Sequence, residues 1–261
     1  MSHSLSWPWA RVLAHRGGGT LAPENTIAGI RVGTEFGFRA IEFDAMLPAD
    51  EVPILMHDET LGRTVAGAGR IAAMTHAEIT ARDAGGWHSS PFAGERVPSF
   101  ALAIEYCRQH GVWPNIEIKP AAGFEERTGE IVARETARLY ADVIRAGGDA
   151  AANIDPRAPL FSSFKKSALL AARAAAPDIP RGFLIDQVPA HWRDELESVG
   201  AVSLHTNHKH LTPELARAVK DAGYWLFCYT VNEPDRAREI LSWGVDAFCT
   251  DRIDGIGPNF A

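Results

Sequence analysis

The chain of 261 residues carries 33 acidic against 26 basic side chains, a net charge of -7, with 46% hydrophobic and 23% charged residues. This is the composition of a soluble globular protein with a sizeable core, and its negative excess opposes attraction to nucleic acid. Three cysteines, Cys107, Cys228 and Cys249, are too few and too scattered for a disulfide framework or a Cys-rich zinc site, and they fit a reducing, cytoplasmic compartment.

Met1 to Arg11 has neither the basic n-region nor the apolar h-region of a secretion signal. Arg11 to Ala14 reads as a first strand, running into Ala14-His15-Arg16-Gly17-Gly18-Gly19, and a helix opens at Pro23-Glu24-Asn25-Thr26. A glycine-rich turn meeting a helix N-terminus can favour an anion, although this run matches neither a Walker loop nor a dinucleotide fingerprint. The second strand is Ala40 to Met46, followed by the turn Leu47 to Val52 and by Pro53-Ile54-Leu55-Met56-His57-Asp58. From about 58 to 98 glycine, proline and scattered aromatics break the rhythm, which predicts an inserted subdomain with a short helix at Thr75 to Ala81, packed on the barrel mouth by Trp87 and Phe92. Further strands are expected at Trp113 to Ile118, Pro159 to Ser162, Arg181 to Ile185, Ala201 to Leu204, Tyr224 to Tyr229 and Asp246 to Cys249. Helical spacing recurs between them, as in Leu215, Val219 and Ala222. The most apolar long stretch, Ala168 to Ala176, falls well short of the ~20 residues of a membrane span, so no stable membrane insertion is expected. Eight strands alternating with helices predict one (β/α)8 TIM barrel over residues 1–261, with the insertion after strand two.

Within the second strand Glu42 and Asp44 stand two apart, so both carboxylates face one side while Ile41, Phe43 and Ala45 face the other. The third repeats the device with Asn115, Glu117 and Lys119. A single acidic residue there would be read as half of an ion pair, for instance Glu117 with Lys119; three carboxylates on neighbouring strands point instead to a hard divalent cation held by Glu42, Asp44 and Glu117. Mg²⁺ and Ca²⁺ suit an all-oxygen set, with Mn²⁺ as a further choice. Arg16 and Lys119 would then grip phosphate oxygens, and His15 and His57 have the near-neutral pKa of a general acid and base. His205, His208 and His210 lack a helical His-x-x-x-His spacing and are expected in a surface or substrate-lining loop.

Taken together, His15-Arg16-Gly17, Pro23-Glu24-Asn25-Thr26, Glu42-Phe43-Asp44, His57-Asp58, Glu117-Ile118-Lys119-Pro120, Ser163-Phe164, Tyr229-Thr230-Val231-Asn232 and Thr250-Asp251 resemble the glycerophosphodiester phosphodiesterases, in the family's order and over essentially the whole chain. Three stretches, Ala14 to Thr26, Asn115 to Pro120 and Cys249 to Phe260, resemble its bacterial cytosolic members associated with glycerol 3-phosphate uptake. The resemblance implies a barrel with an insertion after strand two, metal on Glu42, Asp44 and Glu117, acid/base roles for His15 and His57, and phosphate contacts from Arg16 and Lys119. Many members carry Trp where Tyr229 stands, which implies a more polar wall against the glycerol here. Glu51 replaces the glycine of a common Lys-Asp-Gly turn, which bears only on the hairpin. The expected activity is hydrolysis of a small glycerophosphodiester to sn-glycerol 3-phosphate and an alcohol, with His15 as base and His57 as acid, roles that could be exchanged. Its rivals are a barrel phospholipase acting on lipid and a non-catalytic phosphate-binding barrel. The head group, the water or hydroxyl nucleophile and any homo-oligomer are left open.

Overall fold

The computed structural model describes residues 6–144 and 154–261. Eight parallel strands close on themselves: β1 (Val12–Ala14), β2 (Ala40–Met46), β4 (Trp113–Ile118), β5 (Leu160–Ser163), β6 (Arg181–Ile185), β7 (Ser203–Asn207), β8 (Trp225–Tyr229) and β9 (Ala247–Thr250), with β1 paired to both β2 and β9. Between them run α1 (Ile27–Glu35), α3 (Phe100–Gln109), α4 (Glu125–Leu139), α5 (Lys166–Ala175), α6 (Trp192–Val199), α7 (Pro213–Asp221) and α8 (Pro234–Ser242), giving the expected (β/α)8 barrel. The strand expected at Ala201 to Leu204 begins two residues later and runs on through His205, because the parallel register continues to Asn207 opposite Tyr229.

Alternation along each strand divides the apolar residues into two cores. Ile41, Phe43, Ala45, Ile116 and Ile118 face outwards and pack beneath the helices, whereas Leu13, Ala40, Trp113, Leu160, Phe227 and Ala247 point into the barrel. Two tryptophans from the amino-terminal segment close the lower end: Trp9 stacks on Trp113 at 4.5 Å and Trp7 meets Trp225 edge-on at 5.6 Å. Ligands can therefore enter only at the carboxyl ends of the strands.

After β2 the chain reverses into β3 (Ile54–Leu55), antiparallel to β2, which returns His57 to the mouth. Glu51 in this turn adopts φ 60°, the left-handed conformation a glycine would take without cost, and its carboxylate is held by Arg127 at 2.5 and 2.7 Å. The hairpin thus forms without the glycine. Residues 59–98 follow, with α2 (His76–Thr80) inside the predicted range and capped reciprocally by Thr75 and Glu78. Aliphatic and sulfur side chains hold this segment together, among them Met46, Met56, Leu61, Val65, Ile71 and Ile79. Trp87 and Phe92 are outside that cluster: Trp87 is 44% exposed and lies edge-on to His88, so the expected aromatic anchoring gives way to an aliphatic one.

The glycine-rich turn after β1 is a packing device. The Gly17 and Gly19 amides donate to Ala14 and His15 within the turn, and the Ala28 amide at the start of α1 donates to Glu95 at 3.0 Å, so these groups are not open to an anion. At Gly33 an added Cβ would run into the Gly17 carbonyl oxygen. Gly33→Ala should therefore lower stability by about 1–3 kcal/mol in urea unfolding, whereas Gly257→Ala, whose methyl meets nothing within 4 Å, should stay within about 0.5 kcal/mol.

Candidate active site

Register brings the acids together. Asp44 lies opposite Glu117 in the β2–β4 ladder, Glu42 lies opposite Asn115 one level below, and all six residues of β4 are buried. Glu42, Asp44 and Glu117 each offer an oxygen, and these atoms lie within 4.8 Å of one another. The parity argument from the sequence therefore holds in space.

Burial, followed by the neighbouring Asp44, pushes Glu42 up to about 7 and Glu117 up to about 8. For Asp44, burial acts in the same sense but is outweighed by Arg16 and Lys119, which hold it below the ordinary carboxylate range. Three ionised carboxylates at this spacing need more positive charge than Arg16 and Lys119 supply. A hard divalent cation fits that donor set, since every donor is a carboxylate oxygen and the oxygens converge.

The loop after β1 is shaped around these acids. Arg16 and Asn25 both have left-handed backbones, φ 50° and 56°, a conformation that costs about 1 kcal/mol or more outside glycine and concentrates at functional sites. It turns the Arg16 amide toward Glu42 Oε2 at 3.2 Å. Asn25 Nδ2 donates to Asp44 Oδ2 at 2.8 Å and its Oδ1 accepts from the Asp44 amide at 3.0 Å. Arg16 donates to Glu24 at 2.9 Å and lies 3.4 Å from Asp44. Lys119 Nζ is 3.0 Å from Glu117, a pair the sequence allows as the structural alternative to metal binding, and 3.8 Å from Asp44.

Both histidines carry an aspartate on Nδ1, His15 with Asp251 at 2.6 Å and His57 with Asp58 at 2.6 Å, which leaves each Nε2 for chemistry. Their environments differ. At His15, burial disfavours the imidazolium but is outweighed by the Asp251 hydrogen bond and by Glu42, so its pKa is raised above 6.5. At His57, burial again disfavours the charged ring, Asp44 only partly offsets it and Arg16 adds to it, so the pKa falls below 6.5.

A cleft of about 260 Å³ is lined by His15, Arg16, Glu42, His57, Glu117, Lys119 and Tyr229, with Asp44 beneath its wall. All eight residues anticipated from the sequence thus converge. In the same cleft Asn115 Oδ1, Ser162 Oγ, His205 Nδ1 and the Tyr229 hydroxyl are buried with no hydrogen-bond partner among the described residues. His205 was expected in a loop; it is a fully buried strand residue stacked on Phe227 at 4.5 Å, and burial lowers its pKa to about 3.

Asp251, Asn232, Asn25 and Asp58 were quoted within motifs but given no role. Asn232 grips Asp251 twice, donating to Oδ2 at 2.9 Å and accepting the Asp251 amide at 2.9 Å. Asp58 is adjacent in sequence to its partner His57, whereas Asn25 and Asn232 meet theirs 19 positions away and Asp251 meets His15 across 236.

A model of the glycerophosphoryl diester phosphodiesterase family matches residues 15–255. A glycerophosphodiester phosphodiesterase of Caldanaerobacter subterraneus subsp. tengcongensis is 32% identical over 92% of this chain and 93% of its own. Among solved structures, an Oleispira antarctica phosphodiesterase in complex with the product sn-glycerol-3-phosphate superposes with a TM-score of 0.81 at 32% identity, covering 92% of both chains. The glycerophosphodiester phosphodiesterase of Agrobacterium tumefaciens gives 0.75 at 26% identity, over 94% of this chain and 97% of that one. The chain belongs to the glycerophosphoryl diester phosphodiesterase family and is an enzyme of that class.

Proposed function

We propose that this protein, acting as one catalytic unit in the cytoplasm, hydrolyses small glycerophosphodiesters to sn-glycerol 3-phosphate and an alcohol, with Mg²⁺ or Ca²⁺ held by Glu42, Asp44 and Glu117. The observation that carries this reading is the convergence of the three carboxylates, two cationic side chains and two histidines on one cleft. When bound, the cation supplies Lewis-acid neutralisation of a phosphoryl oxygen. Arg16 and Lys119 hold the remaining oxygens, Arg16 through its planar fork and Lys119 as a point charge. The neutral groups of Asn115, Ser162, His205 and Tyr229 offer hydrogen-bond partners to hydroxyl groups of the substrate, which suits a glycerol moiety.

The split between the histidines supports one assignment of the two roles left exchangeable by the sequence. His15, whose charged form is favoured chiefly by its Asp251 hydrogen bond, donates a proton to the leaving oxygen; His57, whose charged form is disfavoured by burial, takes one from the nucleophile. The rival with an observation behind it is a lipid diester: Phe164 lines the cleft and is 40% exposed. No described helix is long and apolar enough to cross a membrane. The non-catalytic alternative is disfavoured because none of the catalytic set is missing.

Glycerophosphocholine turnover in an assay coupled to glycerol 3-phosphate should be lost with EDTA and restored by divalent cation, and should exceed turnover of lysophosphatidylcholine. Replacing His15, His57 or Glu42 by Ala should cost about 10²- to 10⁴-fold in kcat; full activity in any one removes that residue from the scheme. In a melting assay, Mg²⁺ or Ca²⁺ at about 100 times its Kd should stabilise the parent by ~2.7 kcal/mol, and Glu117→Gln should abolish the increment. An acid must be protonated to work, so activity should fall as pH rises through the raised His15 pKa and as pH drops through the lowered His57 pKa. Asp251→Asn removes the main support for the His15 imidazolium, so the alkaline limb should move to lower pH; a shift of the acid limb alone would reverse the assignment.

A further inference from the structure

The insertion reaches the catalytic groups through one residue that neither the sequence motifs nor the proposed chemistry employs. Arg63 donates Nε and Nη2 to Asp58 Oδ2 and Oδ1 at 2.6 and 3.0 Å, and Nη1 and Nη2 to Glu24 Oε2 and Oε1 at 2.7 Å each. Those two carboxylates are the immediate partners of His57 and Arg16: Asp58 holds His57 Nδ1 at 2.6 Å and Glu24 accepts from Arg16 Nη1 at 2.9 Å. One guanidinium therefore joins the base to the phosphate-gripping arginine across two loops that are distant in sequence. We propose that Arg63 is a positioning residue, a clasp that fixes Glu24 and Asp58 so that Arg16 remains free for phosphate and His57 keeps its orientation. The inference rests on the proposed hydrolysis for its kinetic consequence, but not for its effect on phosphate binding.

Charge counting explains why a clasp is needed. Arg16 lies between Glu24 and Asp44 and must still offer donors to an incoming anion. Glu24 now divides its oxygens between two guanidiniums; without Arg63 it would have Arg16 as its sole cationic partner and draw the fork away from the cleft. Asp58 would lose the two bonds that keep it in place behind His57. Stability is not the reason for the arrangement. The Arg63 side chain is 45% exposed, so solvent weakens what its ion pairs contribute to folding, and melting temperature measures that contribution separately from kcat. The insertion is docked against the same loop by other contacts: His88 Nε2 lies 3.0 Å from the Thr20 carbonyl oxygen, and Glu95 accepts from the Ala28 amide at 3.0 Å. Removing Arg63 should leave the insertion seated while loosening the two groups it joins.

The test compares Arg63→Met, Arg63→Lys and the control His88→Ala in three readouts: glycerophosphocholine kinetics, melting temperature, and affinity for inorganic phosphate by calorimetry in the same divalent-cation buffer. Arg63→Met should lose about tenfold or more in kcat and about threefold or more in phosphate affinity while melting within about 2–4 °C of the parent, and Arg63→Lys should recover part of both losses. His88→Ala should melt lower yet keep kcat within about twofold. Parental kcat and phosphate affinity in Arg63→Met would overturn the clasp, as would a His88→Ala protein that reproduces the same losses. Should Arg63→Met fail to fold, Arg63→Lys decides alone: a clear drop in kcat at parental melting temperature supports the proposal, and a parental kcat overturns it. A parent enzyme inactive on glycerophosphocholine would sink the hydrolysis reading, and the phosphate titration would still decide the clasp.

Discussion

Three carboxylates buried at one end of a closed barrel cannot all be ionised unless positive charge is brought to them, and most of the site is arranged around that constraint. Two of the three are raised to about 7 and 8 by burial and mutual repulsion, and the third is ionised because Arg16 and Lys119 face it. Asn25 aligns Asp44 from both sides, and the Arg16 amide approaches Glu42. The strained backbone at Arg16 and Asn25 is what lets one short loop make both contacts. A hard cation is the natural completion of such a set, and an anionic phosphodiester can approach only once the negative charge is covered.

The same economy of charge separates the histidines. Each is paired through Nδ1 to an aspartate, so hydrogen bonding alone does not distinguish them. The difference lies in what else competes for the aspartate and for the ring. Asp58 is engaged by Arg63, whose hydrogen bonds hold it down to about 2, and His57 faces Arg16 and Lys119 as well. Asp251 has the neutral Asn232 as its partner, and His15 faces Glu42. Burial opposes the charged form of both rings; at His15 the Asp251 hydrogen bond and Glu42 outweigh it, whereas at His57 Asp44 and Asp58 do not, with Arg16 and Lys119 adding to the effect of burial.

Much of this was legible in the sequence because it depends on local periodicity. Two-residue spacing placed Glu42, Asp44 and Glu117 on the interior face, and the alternation of strands with helices was enough for the barrel. What was not legible depends on closure. His205 looked like part of a polar loop because Thr206-Asn207-His208-Lys209-His210 follows it, yet pairing with Phe227 extends the strand and buries the ring. Its place is prepared by Gly182 on the neighbouring strand, where a Cβ would collide with the imidazole. Likewise Asp251 can be matched to His15, 236 positions away, only once β1 and β9 are known to be neighbours. The glycine turn differs in the other direction: its composition suits anion binding, while its Gly17 and Gly19 amides are taken up by the fold.

The barrel interior carries three kinds of side chain: aromatic, neutral polar and charged. Aromatic rings from Trp7, Trp9, Trp113 and Trp225 seal the lower end. The neutral groups Asn115, Ser162 and His205 line the same cleft as Glu42 and Glu117, and burial lowers the His205 pKa to about 3. Charged groups stand at the top, where β3 and the insertion also meet. A ligand with one anionic centre and neutral hydroxyls can use both sets of groups, because the neutral ones offer no charge to a phosphate and the charged ones would be left uncompensated by a hydroxyl. With the lower end covered by the tryptophan rings, the charges act in a cleft of lower dielectric than an open surface, where electrostatic interactions are stronger.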